Sequence, residues 1–124
     1  MRSDSVVLDT NIVVYLFNGD RRLADQLEEV RLFISAMSRI ELYSWRKAAG
    51  AEIALLDKFM QRCTLVEIDR EVQDAAIALR RAHKLTVADA IVAASAQVKG
   101  IPLFTADGDF KRLGSELRVV IYER

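Results

Sequence analysis

Cysteine, proline and histidine are nearly missing from this 124-residue chain, with one of each: Cys63, Pro102 and His83. A lone cysteine closes no internal disulfide, so the expected compartment is a reducing cytoplasm. With one proline and five glycines there is no Pro-rich linker, and no low-complexity segment or internal repeat interrupts the chain; a single domain spanning 1–124 is expected. Charge of one sign is also lacking. Eighteen Lys and Arg balance eighteen Asp and Glu, which excludes a global basic field for capturing nucleic acid and requires any such partner to be held locally. No apolar run approaches the roughly 18 residues that cross a bilayer, since even AIVAASAQV stops at Lys99-Gly100, and MRSDSVV lacks the apolar core of a signal peptide. No membrane partner is expected.

What the chain has is apolar material, at 52% of its residues, enough for a core. Short apolar runs alternate with amphipathic stretches, the pattern of an α/β fold. Strands are predicted at Val6–Leu8, Arg31–Ser35, Thr64–Ile68, Pro102–Thr105 and Arg118–Tyr122. Between them lie an apolar segment Ile12–Phe17 stopped by Asn18-Gly19-Asp20, and helices over about 22–28, 38–49 (broken by Gly50), 51–62, from 69 with His83 at its end, and 86–99 (ended by Gly100). Asp69 fits an N-cap with Val72, Ala75, Ala76 and Leu79 at helical spacing behind it, and a helical turn is expected over 109–113 before Gly114.

Four acids stand at the ends of these elements: Asp9 in VVLDTN, Glu41 in SRIEL, Asp89 in TVADA and Asp107 in TADGDF. The carboxyl ends of strands are where open α/β sheets bind ligands. Gathered carboxylates suit Mg²⁺ or Mn²⁺, hard cations that prefer oxygen. Each acid also has a purely structural explanation. Ser38-Arg39-Ile40-Glu41 and Thr86-Val87-Ala88-Asp89 both match the capping box, Asp9 and Asp107 suit turns, and Asp109 suits the cap of the last short helix. The two readings are compatible, because a helix N-terminus favours the ionised carboxylate.

Taken in order, VVLDTNIVVYLF, the acid of SAMSRIEL, LTVADAIVAASAQVKGIPLFTADGDF and the terminal RVVIYE resemble the PIN-domain ribonucleases, in particular VapC-type toxins of toxin–antitoxin pairs. The resemblance implies a three-layer α/β/α fold with a five-stranded, mainly parallel sheet. It also implies an acidic metal site on Asp9, Glu41, Asp89 and Asp107, steadied by Thr10, Asn11, Ser38 and Thr105. The TADGDF motif is compact, and it leaves open whether Asp107 or the neighbouring Asp109 lies closer to the metal.

The implied activity is Mg²⁺- or Mn²⁺-dependent hydrolysis of RNA, with Asp9 and Asp89 as direct ligands and Glu41 and Asp107 completing the set. His83 alone is too few for a metal-free ribonuclease using imidazole acid and base, and it suits a helix C-terminus instead. Implied partners are RNA, a cognate antitoxin and a second copy of the chain. Candidate RNA contacts are Arg21, Arg22, Arg39, Arg46, Lys47, Lys111 and Arg112, with a solvated charged face as the alternative. Tyr15, Leu16, Phe17, Tyr43 and Trp45 offer an apolar surface beyond what one sheet face needs, and Cys63 reads as a small buried filler. Two other functions fit the length and fold class: a receiver-type phosphoacceptor domain, with Asp69 modified, and a non-catalytic PIN adapter. A receiver needs an acidic pair after its first strand and a lysine ending its fifth, where this chain has Asp9-Thr10 and Tyr122.

Overall fold

The structure is a computed structural model that describes residues 4–45 and 49–124; two of the candidate RNA contacts, Arg46 and Lys47, lie outside the described residues. Five strands, β1 (Ser5–Leu8), β2 (Arg31–Ser35), β3 (Thr64–Val66), β4 (Leu103–Thr105) and β5 (Val119–Ile121), form one sheet of order β3-β2-β1-β4-β5. Every pairing is parallel. Around them lie α1 (Thr10–Phe17), α2 (Arg21–Leu27), α3 (Ala36–Tyr43), α4 (Gly50–Arg62), α5 (Arg70–Ala82) and α6 (Val87–Lys99).

Central β1 shows why the sheet is parallel and covered. Val6, Val7 and Leu8 are all fully buried, as a strand with helices on both faces must be. Alternate residues feed two cores. Val7 packs with α5, α6, Phe110 and Leu113, while Val6 and Leu8 pack with Ile12, Leu23, Leu27 and Phe104. Each such burial contributes about 1.5–3 kcal/mol.

Helix α6 is buried at seven consecutive positions, Ala90 to Ala96, so it is apolar all round and sits as a central rod. Its alanines let it approach β1 and β2 closely. Thr86 caps its start, and Gly100, at φ +68°, ends it in the left-handed conformation. This helix carries the chain past β1 to β4, so the strand order reverses between β1 and β4, the place where such sheets open a crevice.

The described elements depart from expectation in several places. Ser38 does not cap α3. Ser35 does, its Oγ accepting from the Met37 amide at 3.0 Å, because β2 runs straight into the helix. Ser38 is therefore inside α3 and Glu41 too far along it for a capping box, and the helix stops at Ser44 rather than near 49. The other predicted box forms in part, with the Asp89 amide donating to Thr86 Oγ1 at 3.1 Å. The last short helix is a 3-10 helix, Gly108–Leu113, capped by Asp107 and not Asp109. Strand β3 ends at Val66, two residues early.

Candidate active site

Asp9 leaves the end of β1 as the N-cap of α1, where its backbone turns from strand to helix. One carboxylate oxygen, Oδ1, accepts from the Thr10 amide at 2.8 Å, and Oδ2 accepts from Thr105 Oγ1 at 2.7 Å. The residue is only 7% exposed. Burial pushes its pKa above the ordinary carboxylate value, the two hydrogen bonds pull it back, and the charges of Asp89 and Glu41 raise it again.

The other acids are brought to the same edge of the sheet by separate elements. Thr105, fully buried at the end of β4, also accepts from the Asp107 amide at 3.0 Å, so one hydroxyl links Asp9 to the loop that carries Asp107. Asn11 Oδ1 accepts from the Ala106 amide at 3.3 Å, a second tie between the same loops. Thr10 Oγ1 lies 2.8 Å from Ser38 Oγ and 2.7 Å from Glu41 Oε1. An ionised carboxylate has no proton to give and Thr10 has one, so the bonds run from Ser38 to Thr10 to Glu41. That chain fixes an otherwise exposed side chain.

Asp89 stands in the first turn of α6. Its pKa is raised mainly by burial; a hydrogen bond from Thr86 opposes this, the charges of Asp107 and Glu41 add to it, and Arg112 lowers it. Of the two acids in TADGDF it is Asp107 whose charge Asp89 feels, while the Asp109 amide donates to Asp107 Oδ1 at 2.9 Å. Asp9 thus feels Asp89 and Glu41, and Asp89 feels Asp107 and Glu41, which links the four predicted acids electrostatically as an open group. Among the described residues no three His, Cys, Asp or Glu side chains form a closed ligand set.

A cleft of about 520 Å³ is lined by Asp89, Asp107 and Asp109 and by Arg80, Lys84 and Arg112. Of the cations picked out in the sequence, only Arg112 among the described residues is there. Arg39 stacks on Tyr43 at 4.8 Å, and Arg22 is engaged with Tyr122 and the Glu123 carbonyl. Arg80 and Lys84 were missed; their only signal is their place just before TVADA.

The remaining singled-out residues have ordinary neighbours. His83 caps α5 and pairs with Glu116 at 2.9 Å. Cys63 is half-buried against the core, and burial pushes its thiol up to about 11. Tyr15 and Leu16 pack onto the core and Tyr43 bonds Asp57, leaving Phe17 and Trp45, 42% and 62% exposed, as the open part of the aromatic group. No helix of the described residues is long and apolar enough to cross a membrane.

No curated protein matches this sequence. Among solved structures, the chain is similar to a toxin–antitoxin complex from Klebsiella pneumoniae, at 27% identity over 96% of this chain and 99% of that one, with a TM-score of 0.82. VapBC2 from Rickettsia felis, bound to a DNA fragment from its promoter, is 22% identical over 96% and 99%, with a TM-score of 0.83. VapBC-5 from Mycobacterium tuberculosis is 21% identical over 98% and 99%, with a TM-score of 0.69. A family model described as PIN domain matches residues 6–116. With a five-stranded parallel sheet flanked by helices and a match over most of its length, the chain belongs to the PIN domain family.

Proposed function

We propose that this PIN domain is a Mg²⁺- or Mn²⁺-dependent endoribonuclease and the toxin of a type II toxin–antitoxin pair. What supports the proposal is that Asp9, Glu41, Asp89 and Asp107 are linked electrostatically near the carboxyl ends of the strands, with Asp9 and Asp89 each raised in pKa by burial and by other acids of the four. Gathering unneutralised carboxylates costs stability, and a divalent cation offsets that cost. The donor set fits, being all carboxylate oxygen. Asp9 accepts one hydrogen bond on each oxygen and keeps a lone pair free on both.

Asp9 and Asp89 would hold the ion, with Glu41 and Asp107 beside them. A divalent ion there supplies Lewis acidity toward a phosphodiester and lowers the pKa of water. The protein's part is orientation. Thr105 aims Asp9, Thr10 and Ser38 aim Glu41, and Thr86 restrains Asp89. With His83 paired to Glu116, an imidazole acid–base mechanism has no second partner.

The antitoxin partner is supported by the likeness to the Klebsiella pneumoniae toxin–antitoxin complex, and a partner or homodimer face by the exposure of Phe17 and Trp45. The receiver reading is not favoured. Asp69 is occupied capping α5, accepting from the Val72 amide at 2.9 Å, and the order β3-β2-β1-β4-β5 is not the 2-1-3-4-5 order of that fold. Incubation with RNA and Mn²⁺, then with acetyl phosphate, separates the three readings. The proposal expects RNA cutting that Asp9→Asn and Asp89→Asn abolish, and no phosphorylation. Intact RNA with the wild-type protein would leave the adapter, and a phosphorylated Asp69 the receiver.

A further inference from the structure

The cleft beside the acids is also lined by three cations. Arg80 stands in the last turn of α5, Lys84 in the loop before α6, and Arg112 in the 3-10 helix. Among the described residues none of the three forms an ion pair with a carboxylate. Both guanidiniums are instead anchored to one short loop: Arg80 Nε donates to the Leu85 carbonyl at 3.0 Å, and Arg112 Nη2 donates to the Lys84 carbonyl.

Each anchor uses one of the five N–H donors of a guanidinium. The rest stay free, on side chains whose rotamers are already restrained, which reduces the ordering cost of binding an anion. The same cleft is lined by Asp89, Asp107 and Asp109, so it carries both signs of charge. A small free anion would meet the acids' repulsion. A polyanionic strand avoids it if one phosphate lies at the carboxylates, shielded by a divalent ion, and another lies at the cations.

We infer that Arg80, Lys84 and Arg112 form a subsite for a backbone phosphate of the RNA strand next to the one being cut, an inference that rests on the nuclease reading. The subsite reads charge and strand path and not base identity, because phosphate contacts fix register without carrying sequence. Its cations position substrate and take no part in bond breaking. Their loss should therefore raise KM and leave kcat little changed.

The test uses the full chain and a short fluorescent single-stranded RNA, with equilibrium binding measured in Ca²⁺, under conditions where the RNA is recovered intact, and steady-state cutting measured in Mn²⁺. Arg80→Gln and Arg112→Gln should each weaken binding about tenfold, the scale of one charge-assisted contact. Each should also make the plot of log affinity against log salt shallower by about 0.7, the value for one phosphate contact on a single strand. Arg31→Gln, at the opposite end of β2, should change neither. A rise in melting temperature with Mn²⁺, expected of the wild type on the nuclease reading and retained in each variant, would report an intact fold and acid group. Should Arg112→Gln fail to fold for want of its bond to the Lys84 carbonyl, Lys84→Gln carries the same expectation.

Wild-type-like affinity, salt slope and KM in these variants, with the wild type cutting RNA, would overturn the subsite alone. A wild type that neither binds nor cuts RNA would overturn the nuclease reading and the subsite together.

Discussion

At the scale of single residues, Asp9 holds a charge where the fold disfavours it. Its pKa is raised by burial first and by Asp89 and Glu41 after, so the folded protein binds a proton more tightly than the unfolded chain does. Between the ordinary carboxylate value and that raised value, stability falls as pH rises. Asp9→Asn keeps a good N-cap and removes the charge. In chelator it should melt at or above the wild-type temperature at pH 7, with the advantage shrinking toward acid pH as wild-type Asp9 takes up its proton. Melting curves across pH check this, and a variant less stable at every pH would contradict it. Thr10 tests the supporting layer. Thr10→Val removes the donor to Glu41 and the link to Ser38, and should weaken the half-saturating Mn²⁺ concentration for RNA cutting by about tenfold or more with the fold retained.

Elements explain what was legible in the sequence and what was not. Asp9 was legible because three apolar β-formers followed by Asp-Thr-Asn mark a strand end, and Asp89 because Thr86 sits three residues ahead at the head of a long apolar stretch. Glu41 was found but misplaced. Ser38 makes the same S-x-x-E pattern, while the true cap is Ser35, and only the point at which β2 stops pairing with β3, at Ser35 opposite Val66, decides between them. Arg80 and Lys84 were not legible at all. Their position on the cleft depends on how α5 packs against α6 and on where the 3-10 helix falls, neither of which local pattern fixes. Gly100 was legible as a helix end, and its φ of +68° gives the reason. No atom lies within 4 Å of where a Cβ would be, so Gly100→Ala meets no clash and costs only backbone strain, about 1 kcal/mol. Chemical denaturation should show that loss without a change in RNA cutting.

Across the whole molecule, the fold separates stability from function. The two cores on either face of the sheet hold β1 and β4 side by side, and the strand order reverses between them. The loops leaving that reversal carry Asp9 and Asp107, α6 enters it with Asp89, and α3 brings Glu41 up beside Thr10. Each acid comes from a different part of the chain; Asp9 and Glu41 are oriented by hydroxyls from another part, Thr105 and Thr10, and Asp107 by the amide of its near neighbour Asp109. On the proposed reading, a divalent ion would relieve the repulsion within that group.

That account turns on a shared ion, and calorimetric titration of Mn²⁺ into the metal-free protein tests it most directly. The expected result is saturable binding to the wild type, accompanied by a rise in melting temperature, and its loss in both Asp9→Asn and Asp89→Asn. Absence of binding by the wild type, or equal binding by the two variants, would contradict it.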